Sequence, residues 1–129
     1  MLVLIVDDNK LFVQRLVHLI REAGIDWEIR LAADYEGAVR IVDDLEPGVI
    51  LLDINLPGRS GLELLRYVQA GEEPARVVML TNHADDSYRA ECQNLGVAHF
   101  LDKSYEFTRV PMVLQGLLDP EAINCPPGR

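Results

Sequence analysis

The sequence predicts an α/β domain: a doubly wound, five-stranded parallel sheet with helices on both faces. Three observations predict it. Short apolar runs alternate with helix-period segments five times along the 129 residues. Four of those runs, at 2–6, 49–52, 77–80 and 97–101, are largely continuous in apolar character, the pattern of strands buried on both faces. Right-handed crossovers between parallel strands then place helices on either side of the sheet.

Leu2-Val3-Leu4-Ile5-Val6 is the first strand and ends in Asp7-Asp8. Phe12, Leu16, Leu19 and Ala23 recur at helical spacing, and Gly24 closes that helix as its C-cap. The run at 27–32 (Trp27, Ile29, Leu31) is more polar, as suits an edge strand. Asp34 opens a second helix with Ala38, Ile41, Val42 and Leu45 on one face, stopped by Pro47-Gly48. Val49-Ile50-Leu51-Leu52 is the third strand, and Ser60-Gly61-Leu62-Glu63 reads as a capping box for a helix carrying Leu62, Leu65 and Val68. Val77-Val78-Met79-Leu80 precedes a helix capped by Asp85 or Asp86, with Tyr88, Cys92 and Leu95 on its inner face and Gly96 beyond. The fifth run, 97–101, is followed by Asp102 and then Lys103. Val110, Val113, Leu114 and Leu117 mark the last helix, where Pro111 is tolerated only in a first turn, so Thr108 is the expected N-cap. Residues 1–118 are expected to form the domain and 119–129, with three prolines, a flexible tail.

Composition excludes several functions. A net charge of −9 disfavours direct contact with nucleic acid or an anionic membrane, because phosphates repel it. The opening apolar run is too short for a signal peptide or a membrane span. Cys92 and Cys125 have neither metal spacing nor a disulfide framework, which suits neutral thiols in a reducing cytoplasm. There is no G-x-G-x-x-G after the first strand and no G-x-x-x-x-G-K-[ST], so a nucleotide-binding enzyme lacks its phosphate cradle.

The chemistry lies at the strand ends. Asp53 ends a buried apolar strand, a costly place for a carboxylate unless its charge is used. The first strand delivers Asp7-Asp8 to the same end of the sheet, the fourth delivers Thr81, and the fifth delivers Lys103. In doubly wound sheets ligands bind there, near the topological switch point. Three carboxylates crowded together repel one another, and a hard divalent cation such as Mg²⁺ relieves that. With a lysine charge and a hydroxyl donor added, the set suits in-line transfer of a phosphoryl group to a carboxylate oxygen, a reaction that needs mainly positioning and charge neutralisation. Each residue also has a plain structural reading. Asp8 or Asn9 can cap the first helix, Thr81 can bond to backbone, Lys103 can be a solvated amine, and Phe100 can be a static core aromatic. His18 reads as an exposed helical residue, His99 as a polar strand position, and Asp43-Asp44-Leu45-Glu46 as a solvated helix end.

The order Asp7-Asp8, then Asp53-Ile54-Asn55-Leu56-Pro57 with Gly61, then Thr81, then Lys103 resembles the receiver domain of two-component response regulators, of the chemotaxis-regulator type. The match runs from about Leu2 to Leu118. The resemblance implies the flavodoxin-like (βα)5 fold and a phosphorylation-controlled switch that catalyses only its own phosphorylation and dephosphorylation. Asp53 would be the phosphoacceptor. Asp8 would bind Mg²⁺ directly and Asp7 chiefly through water, with Asn55 giving its backbone carbonyl to the metal. Thr81 and Lys103 would contact phosphoryl oxygens, and Phe100 would take the aromatic switch position. The implied phosphodonor is a sensor histidine kinase or histidine phosphotransfer protein in the cytoplasm.

Several positions depart from or colour that pattern. Lys103-Ser104 replaces the usual lysine-proline step, which leaves open whether that peptide bond is cis. Asn82 stands where a small residue is common, and is expected to narrow the entrance or select partners. His83 and Asn55 are expected to tune how long a phosphoryl group survives. No DNA-binding or catalytic segment follows Leu118 in this sequence, so a stand-alone regulator or phosphorelay shuttle is the first expectation. It would signal by protein contact, as a monomer or a weak dimer through the fourth-helix, fifth-strand, fifth-helix face. The alternative is a receiver excised from a hybrid histidine kinase or a DNA-binding response regulator.

Overall fold

The computed structural model describes residues 1–82 and 86–118. His83, Asp85 and the expected tail 119–129 lie outside the described residues. The elements run β1 (Leu2–Val6), α1 (Lys10–Glu22), β2 (Glu28–Ala32), α2 (Tyr35–Leu45), β3 (Val49–Leu52), α3 (Gly61–Gln69), β4 (Arg76–Thr81), α4 (Asp86–Asn94), β5 (His99–Asp102), a 3₁₀ turn (Phe107–Arg109) and α5 (Val110–Leu118). The five strands are all parallel, in the order β2-β1-β3-β4-β5. The predicted doubly wound (βα)5 fold is therefore the observed one. The more polar β2 is an edge strand, as its composition requires.

Side-chain alternation explains why the inner strands are apolar throughout. Leu4, Val6, Ile50, Leu52, Val77 and Met79 face one core, closed by Ala38 of α2, Leu62 and Leu65 of α3 and Cys92 of α4. Their neighbours Val3, Ile5, Val49, Leu51, Val78 and Leu80 face a second core, closed by Leu16 and Ile20 of α1 and Val113, Leu114 and Leu117 of α5. A strand with two buried faces leaves no place for a polar alternate. Fully burying each such side chain contributes about 1.5–3 kcal/mol, enough to fix the strand register on both sides.

Several local expectations are corrected. α1 buries Val13, Leu16 and Ile20, a stripe rotated by one residue from the expected Phe12, Leu16, Leu19 and Ala23. Its C-cap is Ala23, and Gly24 follows with φ +80°, the left-handed turn that a glycine allows. Leu45 is exposed rather than on the inner face of α2, because Glu46 already turns left-handed ahead of Pro47. Ser60 caps α3, but its hydroxyl accepts from Leu62 N at 3.1 Å, and Glu63 approaches Arg59 at 3.9 Å. Asp86 lies within α4 rather than before it. Thr108 sits inside the 3₁₀ turn and caps nothing; α5 starts at Val110, so Pro111 falls in its first turn, where no intrahelical N–H is lost.

Candidate functional site

Backbone bonds carry the sheet one residue past the strand ends. Asp7 N donates to Ala32 O at 3.0 Å, Asp53 N to Val6 O at 3.0 Å and Lys103 N to Thr81 O at 3.1 Å. The residues after β1, β3 and β5 are thus levelled by the ladder before their side chains do anything. β1 lies between β2 and β3, so the chain reverses direction across the sheet there, and the crevice opens at the C-terminal ends of β1 and β3.

Among the described residues the buried polar ones are Asp7, Asp53 and Thr81, at 6%, 7% and 0% exposure. The two carboxylates are held alike. One oxygen of each accepts from the backbone two residues on, Asn9 N to Asp7 Oδ1 at 2.9 Å and Asn55 N to Asp53 Oδ1 at 3.3 Å. The other oxygen of each faces Lys103, whose Nζ lies 2.5 Å from Asp7 Oδ2 and 3.1 Å from Asp53 Oδ2. Burial nonetheless raises the Asp7 carboxyl above the ordinary value of 3.8; the Lys103 and Asn9 bonds oppose that, and the Asp53 charge adds to it. Asp8 is exposed at the rim. One carboxylate oxygen from each of Asp7, Asp8 and Asp53 lies within 4.8 Å of the others. Such an all-oxygen set can coordinate a hard divalent cation.

The loops around the crevice are built by short polar bonds and one glycine. Gly61 N donates to Ile54 O at 2.6 Å, and a Cβ at Gly61 would stand 2.1 Å from Asp53 O. A glycine there lets the start of α3 close over the turn that follows Asp53, a role its place in the motif did not reveal. Asp102 Oδ1 accepts from Ser104 N at 2.7 Å and Tyr105 N at 3.0 Å, which shapes the turn after Lys103. The Lys103-Ser104 peptide bond is trans, as are all the described peptide bonds. Ser104 Oγ donates to Asn82 Oδ1 at 3.4 Å, so exposed Asn82 ties the loops after β4 and β5 together at the entrance. Asn9, not Asp8, caps α1, accepting from Phe12 N at 3.1 Å.

Asn55 is exposed and its backbone N–H is engaged by Asp53, while its residue bridges to Ser60. Phe100 is buried at 7% exposure beneath Arg89 of α4, whose guanidinium carbon lies 4.7 Å from the ring centroid. His18 is exposed and pairs with Glu22 at 2.7 Å, His99 is half-buried in β5, and the residues of the 43–46 charge run are exposed. A residue the sequence placed only on a helix face also reaches the site: the Lys103 ammonium lies 4.4 Å from the centroid of the Phe12 ring. A cleft of about 810 Å³ occurs at the opposite end of the sheet, lined by Glu46, Pro47, Tyr67 and Pro74. Volume does not make it the site, because the converging buried carboxylates and lysine are at the other end.

Residues 3–115 match the model of the response regulator receiver domain. The chain belongs to that family. As a receiver it is 32% identical over 110 residues to protein CcdB of Bacillus subtilis, covering 84% of this chain and 89% of that one. It is 26% identical over 114 residues to the transcriptional regulatory protein FixJ of Bradyrhizobium diazoefficiens, covering 88% of this chain and 55% of FixJ. The solved structure of a LuxR-family DNA-binding response regulator from Staphylococcus aureus shares the fold, with a TM-score of 0.81, 23% identity and coverage of 90% of this chain and 97% of that one. The chain spans about half the length of several curated relatives it matches. The receiver architecture and the Asp7/Asp8/Asp53 cluster beside Lys103 are those of a phosphorylation-controlled signalling switch. Receivers of this family catalyse only their own phosphorylation and dephosphorylation. Among the described residues no helix is long and apolar enough to cross a membrane.

Proposed function

We propose that Asp53 is the phosphoacceptor and that the groups gathered around it carry out the transfer. The observation that carries this reading is the Lys103 ammonium, brought from β5 to within 3.1 Å of Asp53 Oδ2 and 2.5 Å of Asp7 Oδ2. An Asp53 oxygen attacks phosphorus. The new P–O bond forms as the P–N bond of a phosphohistidine, or the P–O bond of an acyl phosphate, breaks, and the leaving group keeps the electron pair. Asn55 N–H steadies the carboxylate, while Lys103 leaves Asp7 to meet the phosphoryl oxygens with the hydroxyl of Thr81. Asp7, Asp8, Asp53 and the backbone carbonyl of Asn55 would hold Mg²⁺, with Asp7 acting chiefly through water. The ion supplies neutralisation of the carboxylate and phosphoryl charge. The fit rests on hard oxygen donors within 4.8 Å of one another.

Phosphorylation changes the partners of Thr81 and Lys103, and Phe100 of β5 passes that change to α4 and α5. Tyr105 and Met112, at 89% and 64% exposure, offer apolar surface on that side for a protein target or a weak dimer contact. The phosphodonor is a sensor histidine kinase or histidine phosphotransfer protein, and the setting is the cytoplasm. The receiver domain occupies 1–118, with 119–129 a flexible tail. His83, together with Asn55, tunes dephosphorylation. A stand-alone regulator is the first reading; the half-length matches favour a second, in which this receiver controls an attached effector.

Incubating the protein with a small acyl phosphate and Mg²⁺ tests the assignment by intact mass. One phosphoryl group is expected on the native chain and none on Asp53→Ala. No gain, or an undiminished gain in the variant, overturns it.

A further inference from the structure

We propose that Phe12 is a positioning residue for Lys103, its ring face holding the ammonium while the lysine exchanges Asp7 for a phosphoryl oxygen. The inference rests on the reading of Asp53 as phosphoacceptor and adds a group that the strand-end motifs do not contain. An ammonium has three N–H donors. Two are directed by the carboxylates of Asp7 and Asp53 at 2.5 and 3.1 Å, and the ring of Phe12, with its centroid 4.4 Å from Nζ, covers a further side. The lysine side chain is only 9% exposed, so little water competes for that side. A cation over an aromatic face is attracted to it, more strongly as water is excluded.

The three partners differ in what phosphorylation does to them. Asp53 becomes an acyl phosphate and loses its carboxylate charge. Asp7 is one of the residues that would hold the divalent cation. Phe12 is neutral, takes no part in the covalent step, and sits on the first turn of α1 with its backbone N–H fixed by the Asn9 cap. It is the contact that can stay unchanged while the other two alter. Its ring is itself braced, lying 5.5 Å from the ring of Phe107 at 59°, a tilted pairing that aromatic quadrupoles favour. Arg15 of α1 in turn lies 5.5 Å from the centroid of Phe107. A leucine at position 12 would fill the same core edge and hold no cation. The aromatic ring is therefore what the lysine uses.

The test compares Phe12→Leu and Phe12→Tyr in the full chain, with three readouts. Saturating acyl phosphate and Mg²⁺ give the maximal phosphorylation rate, expected about tenfold lower in Phe12→Leu and within about twofold of native in Phe12→Tyr, with the half-saturating phosphodonor concentration unchanged in both. Nitrogen-15 NMR of the unphosphorylated protein follows the Lys103 ammonium, expected to be shifted by the ring in native and Phe12→Tyr protein and to lose that shift in Phe12→Leu. Urea midpoints are expected to show all three folded under assay conditions. An unchanged rate or an unchanged ammonium signal in Phe12→Leu overturns the proposal, as does a Phe12→Tyr rate that falls as far as that of Phe12→Leu. If the native protein accepts no phosphoryl group, the phosphoacceptor reading fails first, and the ammonium signal still reports whether the ring holds the lysine.

Discussion

Replacing Lys103 by methionine separates the structural role of its charge from that of its stem. Methionine keeps the unbranched apolar stem and removes the ammonium that now sits between two carboxylates of 3% and 9% side-chain exposure. Removing one partner from a buried ion cluster costs about 3–5 kcal/mol, because the remaining charge is left uncompensated. Each carboxylate keeps one backbone N–H, from Asn9 and Asn55, which favours the lower end, about 3 kcal/mol. With a urea slope of about 1–3 kcal/mol per molar, the midpoint in chelator should fall by about 1–3 M. Mg²⁺ should then rescue the variant more than the native protein. The metal meets no resident ammonium in the variant, whereas in the native chain it must displace Lys103 from Asp7. At equal saturating Mg²⁺ the gap narrows by RT ln of the ratio of the two dissociation constants, about 1.4 kcal/mol for a site ten times tighter in the variant, so part of the gap should close. The assay is urea unfolding by circular dichroism, in chelator and in saturating Mg²⁺. A variant as stable as native in chelator, or a gap of the same size in both conditions, refutes the reasoning.

Gly61→Ala should lower stability by about 1–3 kcal/mol, the cost of overpacking, and slow phosphorylation, since the added methyl would meet Asp53 O at 2.1 Å; native unfolding and native rate together would contradict this. His99 has its pKa lowered from the ordinary 6.5, by burial first and by the charge of Arg109 second. The unfolded chain therefore takes up that proton more readily, so stability is lost as pH falls from 6.5 through the lowered folded value. His99→Gln should flatten that part of a urea-midpoint profile against pH, and an unaltered acid limb argues against it. The Cys92 thiol is fully buried and pushed up to about 11 by burial. In a Cys125→Ser background, a maleimide at neutral pH should label Cys92 only as fast as the protein opens; immediate stoichiometric labelling would show the core is not closed there.

The sheet was legible because two-sided burial writes itself into β1, β3 and β4 as unbroken apolar runs, and the edge position of β2 into its polar ones. Asp7, Asp53, Thr81 and Lys103 were legible because each follows such a run at the same end. What local pattern misses is whatever depends on a second element. The α1 stripe was read one residue off, since Phe12 turns partly toward Lys103 and leaves Val13 to the core. α5 starts at Val110 rather than directly after a Thr108 cap, because Pro111 fits a first turn whether or not Thr108 caps it. Glu63 looked like half of a capping box, but Arg59 in the preceding loop offers it a cation. The contact of Phe12 with the ammonium leaves no mark in sequence, because a phenylalanine facing a core and one facing a lysine look the same.

The proposed phosphoacceptor is one carboxylate among three, Asp53 rather than Asp7 or Asp8. After reaction with an acyl phosphate and Mg²⁺, borohydride reduction converts a phosphorylated aspartate to homoserine, and peptide sequencing by mass spectrometry locates it. Homoserine is expected at position 53, with unchanged aspartate at Asp7 and Asp8. Homoserine at either of those two positions, with Asp53 intact, would contradict it.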